Sequence, residues 1–320
     1  MPSRLVALLA TGAAAAGTVA LAAERPDAPR PRLAAPSQTS APSQTSAPSQ
    51  ASAPSRTPAP SHTSAPDPLP APEAALPRSP VRLAATLTDT TRRLRDALQR
   101  WDRAGAVPRD ITYLALHHQR MLRRMSERRR LGDATLARLP ADVRGEARDT
   151  VLARRHLAAI PRSPGRLPRV RIARAAPAAE LRAHYAEAQD RFGVHWSVLA
   201  AVNFVESAFG RVRSASEAGA RGPMQFLPAT WRAYGMGGDI DDPRDAILAA
   251  ANYLRRSGAP EQLDRALFAY NHSRSYVRAI RRLARRMRAD ERAFLAYYAW
   301  QVYVRTPGGG SRRLTGPGRD

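Results

Sequence analysis

The chain has 320 residues, carries 51 arginine and 27 acidic side chains, and contains neither cysteine nor lysine. This length allows one or two domains, and the lack of cysteine excludes a disulfide framework, cysteine-ligated zinc, iron–sulfur clusters and thiol catalysis. The net charge of +24 comes from arginine in an Ala- and Pro-rich chain. It therefore reflects in part the codon usage of a GC-rich genome and is weak evidence for a nucleic-acid partner.

The charge is unevenly distributed along the chain. Residues 81–176 carry a net charge of +14 and residues 272–320 one of +9, whereas residues 178–271 carry −1. The near-neutral stretch also holds 11 of the 19 aromatic residues. Since large apolar side chains dominate core burial, we expect the compact core to lie between two basic flanks.

Residues 1–23 have the features of a secretory signal peptide. Arg4 supplies the positive amino-terminal region, residues 5–19 are mostly apolar, and cleavage fits after Ala22 or Ala23. An uncleaved anchor is the alternative, but threonine and glycine weaken this stretch as a membrane span. We therefore predict a secreted or cell wall-associated protein with no membrane span in its mature chain.

Residues 24–80 are predicted to be a disordered Pro/Ala/Ser/Thr-rich linker. They contain 15 of the 28 prolines and no aromatic residue, and a six-residue unit that begins at Ala35 recurs at Ala41. Such a composition buries too little surface to offset its chain entropy. The segment should therefore act as an extended spacer.

Residues 81–176 are predicted to be a basic α-helical region. Apolar residues recur at helical spacing, as at Leu94, Leu98 and Trp101. The arginine clusters have two interpretations: solvated faces of a small helical bundle, or a basic surface for a polyanion. Prolines between residues 161 and 168 indicate a hinge before the next domain.

Residues 177–288 are predicted to be a compact all-α domain. The most apolar helix, over residues 196–208, should be central. Asp242 precedes a proline and is a good N-cap for a later helix, and the last helix carries Tyr276 at the start of an apolar stripe. Residues 289–320 are predicted to form an aromatic extension followed by a tail. The extension is expected to be either a strand or a docked helix.

Glu206 differs from the other carboxyl groups in its surroundings. It lies near the end of the apolar helix, flanked by Phe204, Val205 and Phe209. Burial penalises the charged form and raises the pKa of a carboxyl group, which keeps it protonated near neutral pH as a general acid requires. The alternative is a capped or ion-paired structural glutamate at a helix end.

Three short sequence motifs, the first of which contains Glu206, occur in this part of the chain. They are Val205-Glu206-Ser207, the run Gly222-Pro223-Met224-Gln225, and Ala269-Tyr270-Asn271. In this order they resemble the Glu-Ser, Gly-Leu-Met-Gln and Ala-Tyr-Asn motifs of the lytic transglycosylases, and the flanking residues are similar to the actinobacterial type. Pro223 stands where the second motif usually has leucine, which removes one backbone N–H donor.

The resemblance implies a lysozyme-like domain of the goose-lysozyme and soluble lytic transglycosylase type. It also implies cleavage of the β-1,4 bond between N-acetylmuramic acid and N-acetylglucosamine in peptidoglycan, with formation of a 1,6-anhydromuramyl end. Glu206 would be the single catalytic residue, first as acid and then as base, whereas most glycosidases use two carboxyl groups. Glu217 is the one candidate for a second carboxylate.

The resemblance further implies a set of substrate-binding residues. Gln225 would hydrogen-bond the glycan, and Tyr270 would hold the Glu206 carboxyl group. Three others have a structural role as the alternative. Ser207 could bond back within its own helix, Met224 could fill the core, and Asn271 could hold a helix end. The complete set is Ser207, Met224, Gln225, Tyr270 and Asn271.

No metal or organic cofactor is expected. His117 and His118 are adjacent, so they point to different sides of a helix and do not share a ligand face. The expected partners are peptidoglycan glycan strands and, as a hypothesis, anionic wall polymers at the basic flanks; no nucleic acid is expected. The competing hypotheses are a muramidase with the same site, in which water attacks, and a non-catalytic wall-binding or scaffold protein.

Overall fold

Eleven helices and one two-stranded ribbon form the regular structure of the described residues. The computed structural model describes residues 68–161, 170–216, 218–305 and 311–319. The helices are α1 (Pro80–Arg100), α2 (Arg109–Glu127), α3 (Arg129–Leu136), α4 (Ala141–Ala158), α5 (Ala178–Phe192), α6 (Trp196–Ser207), α7 (Pro228–Tyr234), α8 (Pro243–Arg256), α9 (Leu263–Tyr270), α10 (Arg274–Ala289) and α11 (Glu291–Tyr298), and the antiparallel strands are β1 (Tyr303–Arg305) and β2 (Ser311–Arg313). The predicted all-α class is confirmed.

The central helix is α6, as the sequence predicts. All twelve of its residues are buried. His195 caps its beginning by accepting a hydrogen bond from the Ser197 amide at 3.2 Å. At its other end Ala208, Phe209 and Gly210 all have positive φ angles, so the chain turns sharply directly after the helix.

The amphipathic helix α10 packs between α4 and α6. Its apolar stripe is buried, and the buried tyrosine Tyr276 lies near its beginning. Seven arginines occupy most of the remaining positions of the helix. Because the stripe faces α4 and α6, the arginines are presented on the side away from the core.

The basic helical region shares one core with the rest of the chain. Buried apolar residues of α1, α2 and α4 belong to the same cluster as those of α5 to α11. Two polar contacts join the parts: Gln119 exchanges hydrogen bonds with the backbone of Gln301 at 2.8 and 3.0 Å, and the hydroxyl groups of Thr150 and Tyr297 are 2.7 Å apart. The helices before residue 161 therefore pack against α10 and α11, which in turn contact the central helix.

The aromatic stretch after α10 contains both of the structures considered for it. Residues 291–298 are helical and residues 303–305 form a strand. Tyr297 and Trp300 pack on Phe204 of α6, with ring centroids 5.0 and 6.0 Å apart. This extension therefore completes the core around α6.

The predicted linker ends earlier than residue 80. Residues 69–79 lie along α2, where Arg120 donates to the carbonyl of Pro72 at 2.9 Å and Arg124 to that of Leu76 at 3.0 Å. Leu69 and Leu76 pack on the core, which gives this proline-rich end a fixed path despite its composition.

Several predictions concern parts of the chain that the structure does not describe. The signal peptide, the repeats, almost all of the predicted hinge and Glu217 lie outside the described residues. Among the helices that are described, none combines the length and the apolar character needed to cross a bilayer.

Candidate active site

Glu206 is the penultimate residue of α6, and its side chain is almost fully enclosed. Only 7 % of its surface is exposed. Burial raises the pKa of Glu206 from 4.5 to about 7, and a hydrogen bond from Tyr276 opposes part of that rise. No charged neighbour among the described residues contributes to the shift. The carboxyl group is therefore substantially protonated at neutral pH, as a general acid requires.

The hydroxyl group of Tyr276 donates a hydrogen bond of 2.8 Å to Oε1 of Glu206. Tyr276 is completely buried at the beginning of α10, where the Ser273 side chain caps the helix. Burial, and next the neighbouring Glu206, raise the pKa of this tyrosine well above 10, so its hydroxyl group keeps its proton and remains a donor. Since Oε1 is occupied, Oε2 is the oxygen left to carry the transferable proton.

The segment between α6 and α7, called the loop below, is fixed to the end of α6 by Ser207. Its hydroxyl group donates to the carbonyl of Pro223 at 2.5 Å and accepts from the Gly210 amide at 2.7 Å. Gly222 has a φ angle of 74°, and a Cβ atom there would overlap the carbonyl oxygen of Ile240. The glycine and the serine of the two motifs thus hold the loop against the helix that carries Glu206.

Tyr270 is placed differently from the prediction. Its hydroxyl group donates to the Met224 carbonyl at 2.6 Å, and the hydrogen bond to Glu206 comes from Tyr276 instead. The reason is the direction of the chain: α9 ends at Tyr270, and α10 brings Tyr276 to the carboxyl group. Tyr270 nevertheless lies close enough for the charge of Glu206 to contribute, after burial, to the raised pKa of its hydroxyl group.

Three of the predicted glycan ligands are instead packed in the interior. Ser207 and Met224 are 0 % exposed and Asn271 is 2 % exposed. The Ser207 side chain holds the loop, and Met224 belongs to the core. Asn271 ends α9 through its backbone amide, which donates to the Leu267 carbonyl at 3.0 Å. Gln225 and Tyr270 are partly exposed. Gln225 has a φ angle of 52° and donates to the Gly222 carbonyl at 3.0 Å, and this strained loop position is typical of functional sites.

A row of aromatic rings continues from Tyr270. Phe226 lies 6.0 Å from Tyr270 and 5.5 Å from Trp231, measured between ring centroids. On the other side, Tyr253 lies 5.5 Å from Tyr270. Phe226 is buried, whereas Trp231, Tyr253 and Tyr270 are partly exposed, so the row offers apolar ring faces at the surface beside the loop.

The other acidic residues near the loop have structural roles. Asp242 caps α8 by accepting from the Asp245 amide at 2.9 Å, which confirms the predicted N-cap. Asp245 in turn accepts from the Asp239 amide, and Asp241 pairs with Arg221 at 2.8 Å. Within the described ranges, no three acidic or histidine side chains are grouped as metal ligands would be.

The sequence comparisons bear on the region around Glu206. Residues 184–293 match the family model described as the transglycosylase SLT domain. This part of the chain is therefore similar to SLT domains. The match includes α6, the loop and α10, and therefore both Glu206 and Tyr276 lie inside it. The predicted resemblance to lytic transglycosylases and the lysozyme-like fold are thereby confirmed.

Two curated relatives resemble part of this chain. The membrane-bound lytic murein transglycosylase F of Thiobacillus denitrificans is 33% identical over 119 residues, which is 35% of this chain and 25% of the relative. The membrane-bound lytic murein transglycosylase F 1 of Alkalilimnicola ehrlichii is 30% identical over 138 residues, or 38% of this chain and 28% of the relative. The chain thus spans about a quarter of the length of these relatives. No solved structure matches it.

Proposed function

We propose that the chain is a peptidoglycan lytic transglycosylase that cleaves the β-1,4 bond between N-acetylmuramic acid and N-acetylglucosamine and leaves a 1,6-anhydromuramyl end. The observation that carries this proposal is a buried glutamic acid, Glu206, whose pKa is raised to about 7 within an SLT domain. The names of the two relatives support the substrate class. The substrate is therefore the glycan strand of peptidoglycan.

In the first step, Glu206 acts as the acid. Its Oε2 proton passes to the glycosidic oxygen, and the bond from that oxygen to the anomeric carbon of the muramyl sugar breaks. Tyr276 keeps Oε1 in a fixed hydrogen bond, so the proton is held on the other oxygen. After transfer the carboxylate lies beside the positive charge that develops on the muramyl sugar, which stabilises it.

In the second step, Glu206 acts as the base. Its carboxylate takes the proton of the muramyl 6-hydroxyl group while that oxygen attacks the anomeric carbon of the same sugar. No water is consumed, and the glutamic acid is regenerated. A nucleophile within the same sugar needs no second carboxylate to activate it, and its proximity lowers the barrier. The lack of a charged neighbour that shifts the pKa of Glu206, within the described residues, is consistent with this scheme.

The remaining site residues position the glycan. Gln225 and Tyr270, which are partly exposed beside the loop, contact the sugars, and the ring faces of Trp231 and Tyr253 pack on them. Residues 1–23 direct the chain out of the cytoplasm, to the wall where its substrate lies. No step requires a metal ion or an organic cofactor.

The product masses test the reaction. Purified peptidoglycan digested by the protein should release muramyl ends that are lighter by one water than hydrolysis products, as measured by mass spectrometry. Reducing muramyl ends would favour the muramidase alternative and would direct attention to Glu217. If no fragments appear while insoluble wall material still binds the protein, the chain is a wall-binding protein.

The pH dependence of cleavage tests the role of Tyr276. The hydrogen bond from Tyr276 lowers the pKa of Glu206, so Tyr276→Phe should raise that pKa above 7. Since the acid must be protonated, activity should then be lost at a higher pH than in the unmodified protein. The rate at the optimum should fall roughly tenfold or more, because a hydrogen bond to an ionisable group is lost. A pH–rate profile measures both effects.

Tyr270→Phe is the matched control for this measurement. It removes a hydroxyl group that binds the Met224 carbonyl and leaves the hydrogen bond to Glu206 in place. Its alkaline limb should stay where it is in the unmodified protein. An equal displacement of the limb in both variants would show that Tyr276 has no specific effect on Glu206.

A further inference from the structure

A cavity of about 520 Å³, away from Glu206, is lined by residues of α4, α6, α9 and the arginine-bearing side of α10. His156 of α4 and His195 and Val198 at the beginning of α6 form one side of it, and α10 supplies the other. Glu206 is ten residues further along α6 than the first residue of that helix, which is about 15 Å at the helical rise. The cavity is therefore separate from the site around Glu206.

Arginine dominates the lining of this cavity. Five of the seven arginines of α10 contribute to it: Arg278, Arg281, Arg282, Arg285 and Arg288. Arg281 pairs with Asp264 at 2.7 Å, and Arg282 and Arg285 share Asp149. Arg278 and Arg288 are exposed and form no ion pair within the described parts of the chain. The cavity thus has three more positive than negative charges.

Nearby arginines contribute, after burial, to the lowered pKa values of the two histidines that line the cavity. Burial and then the nearby Arg282 and Arg278 lower the pKa of His156, and burial followed by Arg288 and Arg182 does so for His195. Nδ1 of His195 accepts from the Ser197 amide. In the neutral ring the proton is then on Nε2, which makes this histidine a hydrogen-bond donor at the cavity.

We propose that this cavity binds a phosphate group carried on a sugar or polyol. Guanidinium groups form paired, charge-assisted hydrogen bonds with phosphate oxygens, and Arg278 and Arg288 are free to do so. The surplus of positive charge suits a phosphate ester, whose oxygens accept several charge-assisted hydrogen bonds from guanidinium groups at once. Val194, Val198 and Leu263 line the same cavity, and they provide an apolar wall for a carbon skeleton. The volume lies within the usual range for small-ligand sites, which is far more than a bare phosphate occupies.

The ligand fits the hypothesis that the basic flanks hold the chain on anionic wall polymers. A phosphodiester-linked polymer of sugars or polyols carries the required group at every repeat, and a soluble sugar phosphate carries it once. Both sources present phosphate oxygens on a carbon skeleton, and they differ in charge: the diester carries a single negative charge and the monoester about two. This inference concerns binding alone and does not depend on the proposed reaction.

Calorimetric titration of the whole chain with glycerol 3-phosphate tests the cavity. Glycerol 3-phosphate should bind more tightly than inorganic phosphate, because its carbon skeleton contacts the apolar wall. The double variant Arg278→Gln/Arg288→Gln should weaken binding at least about tenfold, since two charge-assisted contacts are lost. The matched control, Arg82→Gln/Arg130→Gln, removes two exposed arginines that do not line the cavity and should bind as the unmodified chain does.

Thermal melting of each variant verifies that it is folded. Equal binding by both double variants, or no binding of glycerol 3-phosphate to the folded chain, would overturn the proposal. Glu206→Gln should bind glycerol 3-phosphate normally, so a failure of the reaction and a failure of this site are distinguishable. Wall material with and without chemical removal of its phosphodiester polymers assigns the source. If the unmodified chain binds intact walls better than Arg278→Gln/Arg288→Gln does, and removal abolishes that difference, the polymer is the ligand. If the two bind intact walls equally, the ligand is a soluble ester.

Discussion

Glu206→Gln should lower the rate of glycan cleavage by at least about 10³-fold, because positioned acid–base catalysis contributes 10² to 10⁴ and Glu206 serves both steps. Glutamine has the same shape and can still accept the hydrogen bond from Tyr276 through its amide oxygen. It cannot donate a proton to the glycosidic oxygen or take one from the muramyl 6-hydroxyl group. Binding of glycan should therefore be retained while turnover is lost, which initial rates and a wall pull-down measure separately.

Glu187→Gln is the matched control for the rate measurement. Glu187 lies on α5, where it pairs with Arg244, and the change removes one carboxyl group that has no part in the reaction. Its rate should equal that of the unmodified protein. Full activity of Glu206→Gln would show that another residue is the acid, and Glu217 would be the next carboxyl group to replace.

The sequence was sufficient to predict that Glu206 is a buried carboxyl group with a raised pKa. The apolar pattern around Glu206 identifies a buried helix, and burial alone accounts for the direction of its pKa shift. The Asp242 cap could be predicted equally well, because the capping side chain and the amide that it binds are only three positions apart. Features that depend on neighbours along the chain could thus be predicted.

Tyr276 could not be identified in the same way. In the sequence it begins the apolar stripe of α10, which is typical of a core residue, and its hydroxyl group contacts a carboxyl group 70 positions earlier. One signal was present: a tyrosine within a buried stripe needs a partner for its hydroxyl group. Choosing Glu206 as that partner requires the crossing of α6 and α10, which no local pattern reveals.

Local sequence patterns also could not show that the basic helical region packs into the common core. Gln119 and Gln301, which tie α2 to the end of the chain, are 182 positions apart. The net charge of residues 81–176 suggested a separate flank, but charge describes the surface, whereas packing is decided by the buried side of each helix. Apolar residues such as Leu94 and Val151 join the common core.

The raised pKa of Glu206 should make the free energy of unfolding depend on pH. Below about pH 4.5 the folded and unfolded chains both hold this proton, and Glu206 costs nothing. Between pH 4.5 and 7 the unfolded chain releases the proton and the folded chain keeps it, so the free energy of unfolding falls as the pH rises. Above pH 7 the loss is complete, at about 3 kcal/mol for a pKa raised from 4.5 to about 7.

Glu206→Gln isolates this contribution, because glutamine does not titrate. The free energy of unfolding of the variant, minus that of the unmodified chain, should rise by about 3 kcal/mol between about pH 4 and about pH 8. Other titrating groups cancel in this difference. Urea denaturation of both proteins across the pH range measures it, and no substrate is needed.

Glu187→Gln should give the opposite sign in the same experiment. The hydrogen bond from Arg244 lowers the pKa of Glu187, so its folded form gains stability as the pH rises through the acidic range, and the variant loses that gain. A difference for Glu206→Gln that does not change with pH would mean that Glu206 ionises in the folded chain as it does in the unfolded one. In that case Glu206 would be ionised at neutral pH and could not supply the proton for the first step, even if the variant proved inactive.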